Sequence, residues 1–216
     1  MKKKSSKRQK MDKSDVQFFW VVAIITLLII TIIVTPIIYK KFFTTFEYGG
    51  VQFEKIKSGQ TTFYHGVFPI NYLGKTYSYH NVYFYTDPRK NNVALNTNVS
   101  LSKIIYVSLS KDMQSCSDIQ LGQVTLGSFL NAFPFVNNVT GAISEEDYAN
   151  ANNLPYASCQ NATKNTTVIM VNNSQAESIE KISENCYSFN IGDCNYMPVV
   201  ERFIIGSMAQ INEVKI

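Results

Sequence analysis

The chain has 216 residues, of which 45% are hydrophobic and 17% charged, a composition that excludes the disordered and fibrous classes and predicts a folded protein. Its formal net charge of +4 is unevenly distributed: residues 1–17 carry seven Lys or Arg and two Asp, whereas residues 42–216 carry eleven Lys or Arg and fourteen Asp or Glu. A nucleic-acid-binding face requires a basic folded part, so we expect no nucleic-acid partner.

The first predicted element is a membrane-spanning helix from Phe18 to Tyr39. No charged residue occurs between Asp15 and Lys40. About 22 residues at about 1.5 Å per residue extend over about 33 Å, enough to cross the hydrocarbon core of a bilayer. A buried helix of a soluble protein is rarely apolar on every face over such a length. The lipid bilayer is therefore the predicted partner of this segment.

The basic residues around this helix predict its orientation. Two of them, Lys40 and Lys41, follow the span, and seven precede it: Lys2, Lys3, Lys4, Lys7, Arg8, Lys10 and Lys13. The positive-inside rule then makes residues 1–17 a basic cytoplasmic tail, residues 18–39 the transmembrane helix and residues 44–216 an extracytoplasmic domain. We favour an uncleaved signal anchor of a single-pass cell-membrane protein, because no small-residue cleavage site follows the run. A pilin-like leader is kept as an alternative.

Four cysteines lie in the predicted extracytoplasmic domain: Cys116, Cys159, Cys186 and Cys194. Disulfide bonds persist in oxidising compartments, so this even number predicts two bridges. Of the three possible pairings, proximity favours Cys116 with Cys159 and Cys186 with Cys194, although an extended segment would hold the last two about 16 Å apart. Zinc is the alternative, but no C-x-x-C pair occurs and both histidines lie far upstream, so we expect no metal and no other cofactor.

Five N-glycosylation sequons begin at Asn98, Asn138, Asn161, Asn165 and Asn172. Chance alone supplies about three such triplets in a chain this rich in Asn, Ser and Thr. The five asparagines are therefore candidate sites of an extracytoplasmic glycoprotein, and their number carries little weight by itself.

Alternating apolar residues predict an antiparallel sheet in the first half of the domain. The predicted strands cover residues 51–56, 61–64, 66–72, 76–86 and 103–109, bounded by Gly or polar turn residues. In the strand 76–86, one face carries four tyrosines and the other carries Val82 and Phe84; the tyrosines are Tyr77, Tyr79, Tyr83 and Tyr85. Such a stripe is more typical of cross-strand packing than of a ligand platform.

Helices and strands alternate in the second half of the domain. We predict a helix that ends at Pro134, a helix capped by Ser144, a strand over residues 168–171, a helix over 175–183, a strand over 187–191 and a helix that begins at Pro198. A helical crossover would let the two strands pair in parallel. The predicted fold class is α+β, with an N-terminal transmembrane helix, an antiparallel sheet and a C-terminal βαβα-like segment.

No set of residues has the pattern of a catalytic site. The chain has two histidines, His65 and His80, and contains neither a nucleophile elbow nor a phosphate-binding glycine loop. Glu145 and Glu146 are adjacent and would point apart on a helix. The composition favours a non-enzymatic domain that binds or helps to assemble a component of the cell envelope. The alternative is an anchored hydrolase of envelope polymer or peptide, with a histidine near a carboxylate in a cleft.

One segment is the candidate contact site. Residues 83–92 read Tyr-Phe-Tyr-Thr-Asp-Pro-Arg-Lys-Asn-Asn, a pattern typical of a strand followed by a turn. Arg89 and Lys90 are cations in a slightly acidic domain, and we expect them to contact an acidic partner or a lipid or glycan anion. Together with residues 186–194 and Glu201-Arg202-Phe203, this segment resembles a group of uncharacterised single-span membrane proteins of small-genome archaea. The resemblance implies an archaeal cell-surface setting.

Overall fold

The computed structural model of the chain describes residues 13–40 and 44–211, with side chains from residue 17 onward. The basic side chains predicted to form the cytoplasmic tail lie outside the described residues, as does Lys41. The chain forms two compact units, Met1–Thr45 and Phe46–Ile216.

The first unit contains one long helix, α1, at Lys13–Tyr39. Its segment Gln17–Tyr39 has 23 residues and is long and apolar enough to cross a membrane, as predicted. The polar groups inside this segment are satisfied locally, since the hydroxyls of Thr26 and Thr31 donate to backbone carbonyls four residues earlier, at 2.8 and 2.9 Å. Local hydrogen bonds of this kind are what a helix requires where no water is present.

The second unit begins with a four-stranded antiparallel sheet in the order β1-β2-β3-β4. Its strands are β1 at Thr45–Tyr48, β2 at Val51–Ser58, β3 at Thr61–Tyr72 and β4 at Lys75–Phe84. Gly49 and Gly50, with φ of 59° and 74°, form the tight connection between β1 and β2 that glycine adopts without steric cost. The predicted antiparallel sheet is confirmed, and the two strands predicted on either side of His65 are one continuous strand, β3. The strand predicted over residues 103–109 is not part of this sheet.

A second sheet has six strands in the order β5-β9-β10-β8-β6-β7. Its strands are β5 at Ala94–Leu95, β6 at Ile104–Leu109, β7 at Asn138–Ile143, β8 at Thr166–Asn173, β9 at Ser178–Ser183 and β10 at Cys186–Ile191. β6 is parallel to both β7 and β8, and β8 is parallel to β10. β9 is antiparallel to β10, and β5 is parallel to β9. The predicted parallel pairing of the strands now numbered β8 and β10 is confirmed.

The described residues of the unit form three α-helices: α2 at Ile119–Asn131, α3 at Glu146–Ala151 and α4 at Tyr196–Ile211. α4 is the central helix of the core, because Val199, Val200, Phe203 and Ile204 are completely buried. Buried side chains of both sheets belong to the same hydrophobic cluster as α4. The α+β class and the apolar face predicted for the last helix are therefore confirmed.

The helix predicted over residues 175–183 is wrong, because Ser178–Ser183 is strand β9. Ala, Glu and Lys favour a helix only weakly, and here tertiary pairing decides the structure. Ile179 is completely buried and lies opposite Phe189 of β10. A short antiparallel strand, rather than a helix, therefore joins β8 to β10.

The predicted cap at Ser144 is also wrong. The N-cap of α3 is Glu145, whose side chain makes no capping hydrogen bond. Its carboxylate accepts instead from the backbone N–H of Lys111, at 3.1 and 3.2 Å. A partner 34 residues away in sequence is invisible to a local capping pattern.

Candidate functional site

Arg89 and Lys90, the predicted contact residues, lie in a single 3-10 turn, Pro88–Lys90, after β4. The carboxylate of Asp87 accepts from the backbone N, Nε and Nη2 of Arg89, at 3.1, 2.9 and 2.7 Å. These hydrogen bonds hold the pKa of Asp87 below its usual value. The guanidinium also lies 3.8 Å from the ring centroid of Phe46, within cation-π range. Arg89 therefore holds the turn together, and its contact with an anionic partner stays a prediction.

Glu201 of α4 fixes the start of this turn. Its side chain is 1% exposed and accepts from the backbone N of Tyr85 at 2.5 Å and of Thr86 at 3.2 Å. Burial raises the pKa of Glu201 to about 7. At the other end of the turn, Asn91 Nδ2 donates to the carbonyl of Pro198 at 2.8 Å. Hydrogen bonds to α4 therefore hold the turn at both ends.

The two histidines lie on adjacent strands, His65 on β3 and His80 on β4, and have separate surroundings. His65 stacks on Tyr83 with ring centroids 4.6 Å apart, and its Nε2 lies 3.1 Å from Asn81 Oδ1. His80 is half-buried against Phe129, with ring centroids 6.0 Å apart, and burial lowers its pKa. These are two ring-packing contacts and one hydrogen bond to an amide, and the hydrolase alternative stays a prediction.

Within residues 13–40 and 44–211, no group of three or more His, Cys, Asp or Glu is placed to hold a metal ion. All four cysteines are in disulfide bonds, Cys116 with Cys194 and Cys159 with Cys186. The predicted number of bridges is therefore present, but the pairing that sequence proximity favoured is wrong.

Strand direction explains the observed disulfide pairing. Cys116 follows the end of β6 and Cys194 follows the end of β10. Cys159 precedes the start of β8, and Cys186 is the first residue of β10. Parallel strands place like ends at the same edge of a sheet, so each bridge joins like ends. Because β10 separates Cys186 from Cys194, these two neighbours in sequence cannot meet.

The candidate glycosylation residues differ in accessibility. Asn172 is half-buried in β8, where its Nδ2 donates to Ser188 Oγ at 3.0 Å. The other four are exposed: Asn98, Asn138, Asn161 and Asn165. Exposure leaves these four side chains accessible to modification, and glycosylation itself stays a prediction.

An exposed apolar surface, here called the tyrosine patch, joins the outer face of β4 to α2. It consists of Tyr77, Tyr79, Tyr83, Tyr85, Leu121 and Val124, which are 65, 69, 53, 43, 40 and 70% exposed, respectively. Its β4 side and its α2 side meet at a groove of about 250 Å³. The lining combines Tyr83, Tyr85, Leu121 and Val124 with Val82 and with the polar residues His80, Asn81, Thr125 and Ser128. The sequence predicted that the four tyrosines share a face, which is confirmed. It did not predict that α2 extends this surface.

Packing beneath and beside the tyrosines holds the patch in place. Val82 and Phe84, on the opposite face of the strand, are 3 and 0% exposed and anchor β4 to the core. Across the sheet, the ring centroids of Tyr85 and Phe63 are 5.0 Å apart. The ring of Tyr83 stacks on the imidazole of His65 in the same way. The predicted cross-strand packing is therefore present, and it leaves one side of each ring system open to solvent.

A second concavity, here called the α4 cleft, has a volume of about 570 Å³. Its basic lining residues are Lys181 of β9 and Arg202 of α4, and residues 95–98 form another part of its wall. These three segments are far apart in sequence, so no spacing pattern brings them together. The one sequence signal was the Glu201-Arg202-Phe203 motif, which carried the resemblance but suggested no ligand.

Comparisons of the chain with models of protein families, with curated proteins and with solved structures gave no match. The function is therefore inferred from the geometry of this chain.

Proposed function

We propose that the chain is a single-pass membrane protein with a signal anchor, a cytoplasmic N-terminus and an extracytoplasmic domain at residues 44–216. Seven basic residues before the apolar segment against two after it support this orientation. The two disulfide bonds support an oxidising location for the domain. The resemblance carried by residues 83–92 extends the proposal to an archaeal cell envelope.

We further infer that the extracytoplasmic domain binds another protein of the cell envelope through the tyrosine patch. The observation that carries this inference is the exposure of four tyrosines on one face, at 43 to 69%. Folded domains seldom leave a cluster of large apolar side chains exposed on one face without a use for it. Tyrosine adds large contact area and a polar hydroxyl at a low cost in conformational entropy, which makes it a common residue of binding surfaces.

The composition of the patch favours a protein partner over a membrane surface. None of its six residues is charged, whereas surfaces that lie on lipid headgroups combine apolar residues with Lys or Arg. Enrichment in aromatic residues and depletion of charge are typical of the centre of a protein interface. The groove beside Tyr83 provides a site for one anchoring side chain of the partner.

Two features of β4 add to this inference. β4 is at the edge of its sheet, since the strand order ends with it, and edge strands are sites where a partner can add a strand. The strand is also rigidly seated on the core through Val82 and Phe84. A partner would therefore meet a preformed surface and would lose little affinity to ordering of the patch.

The test is purification of the tagged full-length chain, in mild detergent, from membranes of the cells that make it. Wild type is compared with a Tyr77→Ser, Tyr79→Ser variant and with a matched Leu154→Ser, Ile182→Ser variant. Leu154 and Ile182 are also exposed, at 42 and 56%, but lie outside the patch. We expect one protein to copurify in stoichiometric amount with wild type and with the matched variant, but not with the patch variant. The thermal stability of the three forms of the chain should be equal.

Three outcomes would overturn the proposal. The patch variant could retain the partner as well as wild type does. The chain could copurify with phospholipid alone, in which case the patch lies on the membrane. It could also form only a complex with itself, in which case the patch is a surface between copies of the chain.

A further inference from the structure

The α4 cleft is a polar concavity with a helical floor. Arg202, Gly206, Ala209 and Gln210 line it, and their spacing of four, seven and eight residues from Arg202 places them on one stripe of the helix. The small side chains of Gly206 and Ala209 leave space between the guanidinium at one end and the amide at the other. A volume of about 570 Å³ is in the range of small-molecule sites.

The wall opposite the floor is fixed by hydrogen bonds. Gln210 Oε1 accepts from the backbone N of Val99 at 2.7 Å, and Gln210 Nε2 donates to the carbonyl of Thr97 at 3.1 Å. The hydroxyl of Tyr187 accepts from the backbone N of Ser100 at 2.6 Å. These bonds hold residues 97–100 in place without any ligand, so the cleft is preformed and a ligand would not have to order it.

Arg202 lines the cleft and is half-buried. Its Nη1 donates to the hydroxyl of Tyr48 at 3.2 Å, which fixes the guanidinium. Its Nε is buried and bonds to no atom of the described chain. A buried donor without an acceptor is unfavourable, and a guanidinium stays charged at every accessible pH. Because this Nε is buried, a ligand in the cleft would not reach it, and the attraction for an anion comes from the charge of the guanidinium as a whole.

The cleft is positively charged. Lys181 is the second cation of the lining, and no Asp or Glu is among its described lining residues. The carboxylates next in sequence to the two cations are engaged elsewhere: Glu180 accepts from Ser178 Oγ at 2.8 Å, and Glu201 accepts from the backbone of Tyr85. Among the described residues, neither Arg202 nor Lys181 forms an ion pair with a carboxylate, so both charges are available to a ligand.

We propose that the α4 cleft binds an acidic sugar, that is, a sugar unit bearing one carboxylate or phosphate group. The anionic group accepts from Arg202, and Lys181 supplies the second positive charge. The sugar hydroxyls meet the amide of Asn96 and the hydroxyl of Thr97, which also line the cleft. The cleft is too large for an inorganic anion alone, and its described lining has no aromatic ring on which a nucleobase could stack. This site is separate from the tyrosine patch, so each proposal can fail without the other.

The experiment is calorimetric titration of the full-length chain in detergent micelles with glucuronate, galacturonate and glucose 6-phosphate. Glucose is the neutral control and inorganic phosphate is the control for a small anion. We expect at least one acidic sugar to bind with a Kd at least tenfold lower than that of either control. The three acidic sugars together show whether the carboxylate or the phosphate is preferred.

Substitutions locate the site. We expect Arg202→Gln to raise the Kd at least tenfold and Lys181→Gln to raise it at least fivefold. Lys57 is an exposed lysine of β2, and the control variant Lys57→Gln should leave the Kd unchanged. Lys181 is exposed on β9, so its variant keeps the test valid if Arg202→Gln unfolds the domain. The proposal is overturned by absence of binding at 10 mM sugar, by equal binding of glucose or phosphate, or by unchanged Kd in both cleft variants.

Discussion

Glu201 of α4 accepts a hydrogen bond from the backbone N of Tyr85, 116 residues earlier in the chain. This bond ties the central helix to the end of β4, next to the tyrosine patch. A carboxyl group at this position is almost completely buried, and its protonation state therefore affects how firmly the two elements are joined.

We predict that the stability of the domain depends on pH through Glu201. Its pKa is about 7 in the folded chain against 4.5 for an ordinary Glu, so the folded state binds the proton more tightly. The contribution of the protonated Glu201 to the free energy of unfolding is fully present below about pH 4.5. It is lost as the pH rises to about 7, and the loss is at most about 3 kcal/mol. Urea unfolding between pH 4.5 and 8 measures it. In the Glu201→Gln variant this part of the pH dependence should disappear. If the free energy of unfolding of the variant changed with pH as steeply as that of wild type, Glu201 would not be its cause.

A matched pair of glycines on α2 tests the packing of α2 on α4. A Cβ at Gly122 would overlap the ring of Tyr196, whereas a Cβ at Gly127 would meet no atom within 4 Å. We expect Gly122→Ala to destabilise the domain by about 1–3 kcal/mol, and Gly127→Ala to be neutral or to stabilise it by about 0.5–1 kcal/mol. Thermal unfolding of both variants measures the difference. Equal effects would show that the two helices do not approach each other at Gly122.

The disulfide pairing can be read directly from peptides. Mass spectrometry of the non-reduced, digested chain should find Cys116 linked to Cys194 and Cys159 linked to Cys186, with no free thiol. Replacing Cys159 and Cys186 together by Ser should cost about 2–5 kcal/mol of stability, measured by urea unfolding. Detection of a peptide linking Cys186 to Cys194, or of four free thiols, would refute this arrangement.

The orientation predicts which part of the chain is open to protease. On intact cells without an outer wall, added protease should digest the domain after residue 44 and leave residues 1–40 protected, because the proposed orientation puts the N-terminus inside. Immunoblots against tags at the two termini measure it. Loss of the N-terminal tag with protection of the C-terminal tag would reverse the orientation.

Sequence patterns predicted the elements that depend on local chemistry. The charge-free run up to Tyr39 predicts α1, since only its length and composition matter. Alternation at Tyr79, Val82 and Phe84 predicts β4 and its buried face because strand periodicity is local. The apolar spacing after Pro198 predicts the buried face of α4 in the same way.

What the sequence missed depends on contacts between distant segments. β9 contains helix-forming residues, and its strand conformation is set by β10. The disulfides follow from the parallel order of β6, β8 and β10, which sequence proximity cannot show. The α4 cleft likewise combines Arg202 with Lys181 and the segment 95–98. For the same reason the sequence could place the tyrosines on one face but could not show that α2 lies beside them.

Site-specific photocrosslinking tests the central claim most directly. A photoreactive phenylalanine analogue replaces Tyr79, the most exposed tyrosine of the patch at 69%, or Ile182 as the control, in the full-length chain in its native membrane. We predict that light yields one discrete adduct with a second envelope protein from position 79 and none from position 182. Adducts at both positions, or at position 79 only with lipid or with another copy of the chain, would contradict the account.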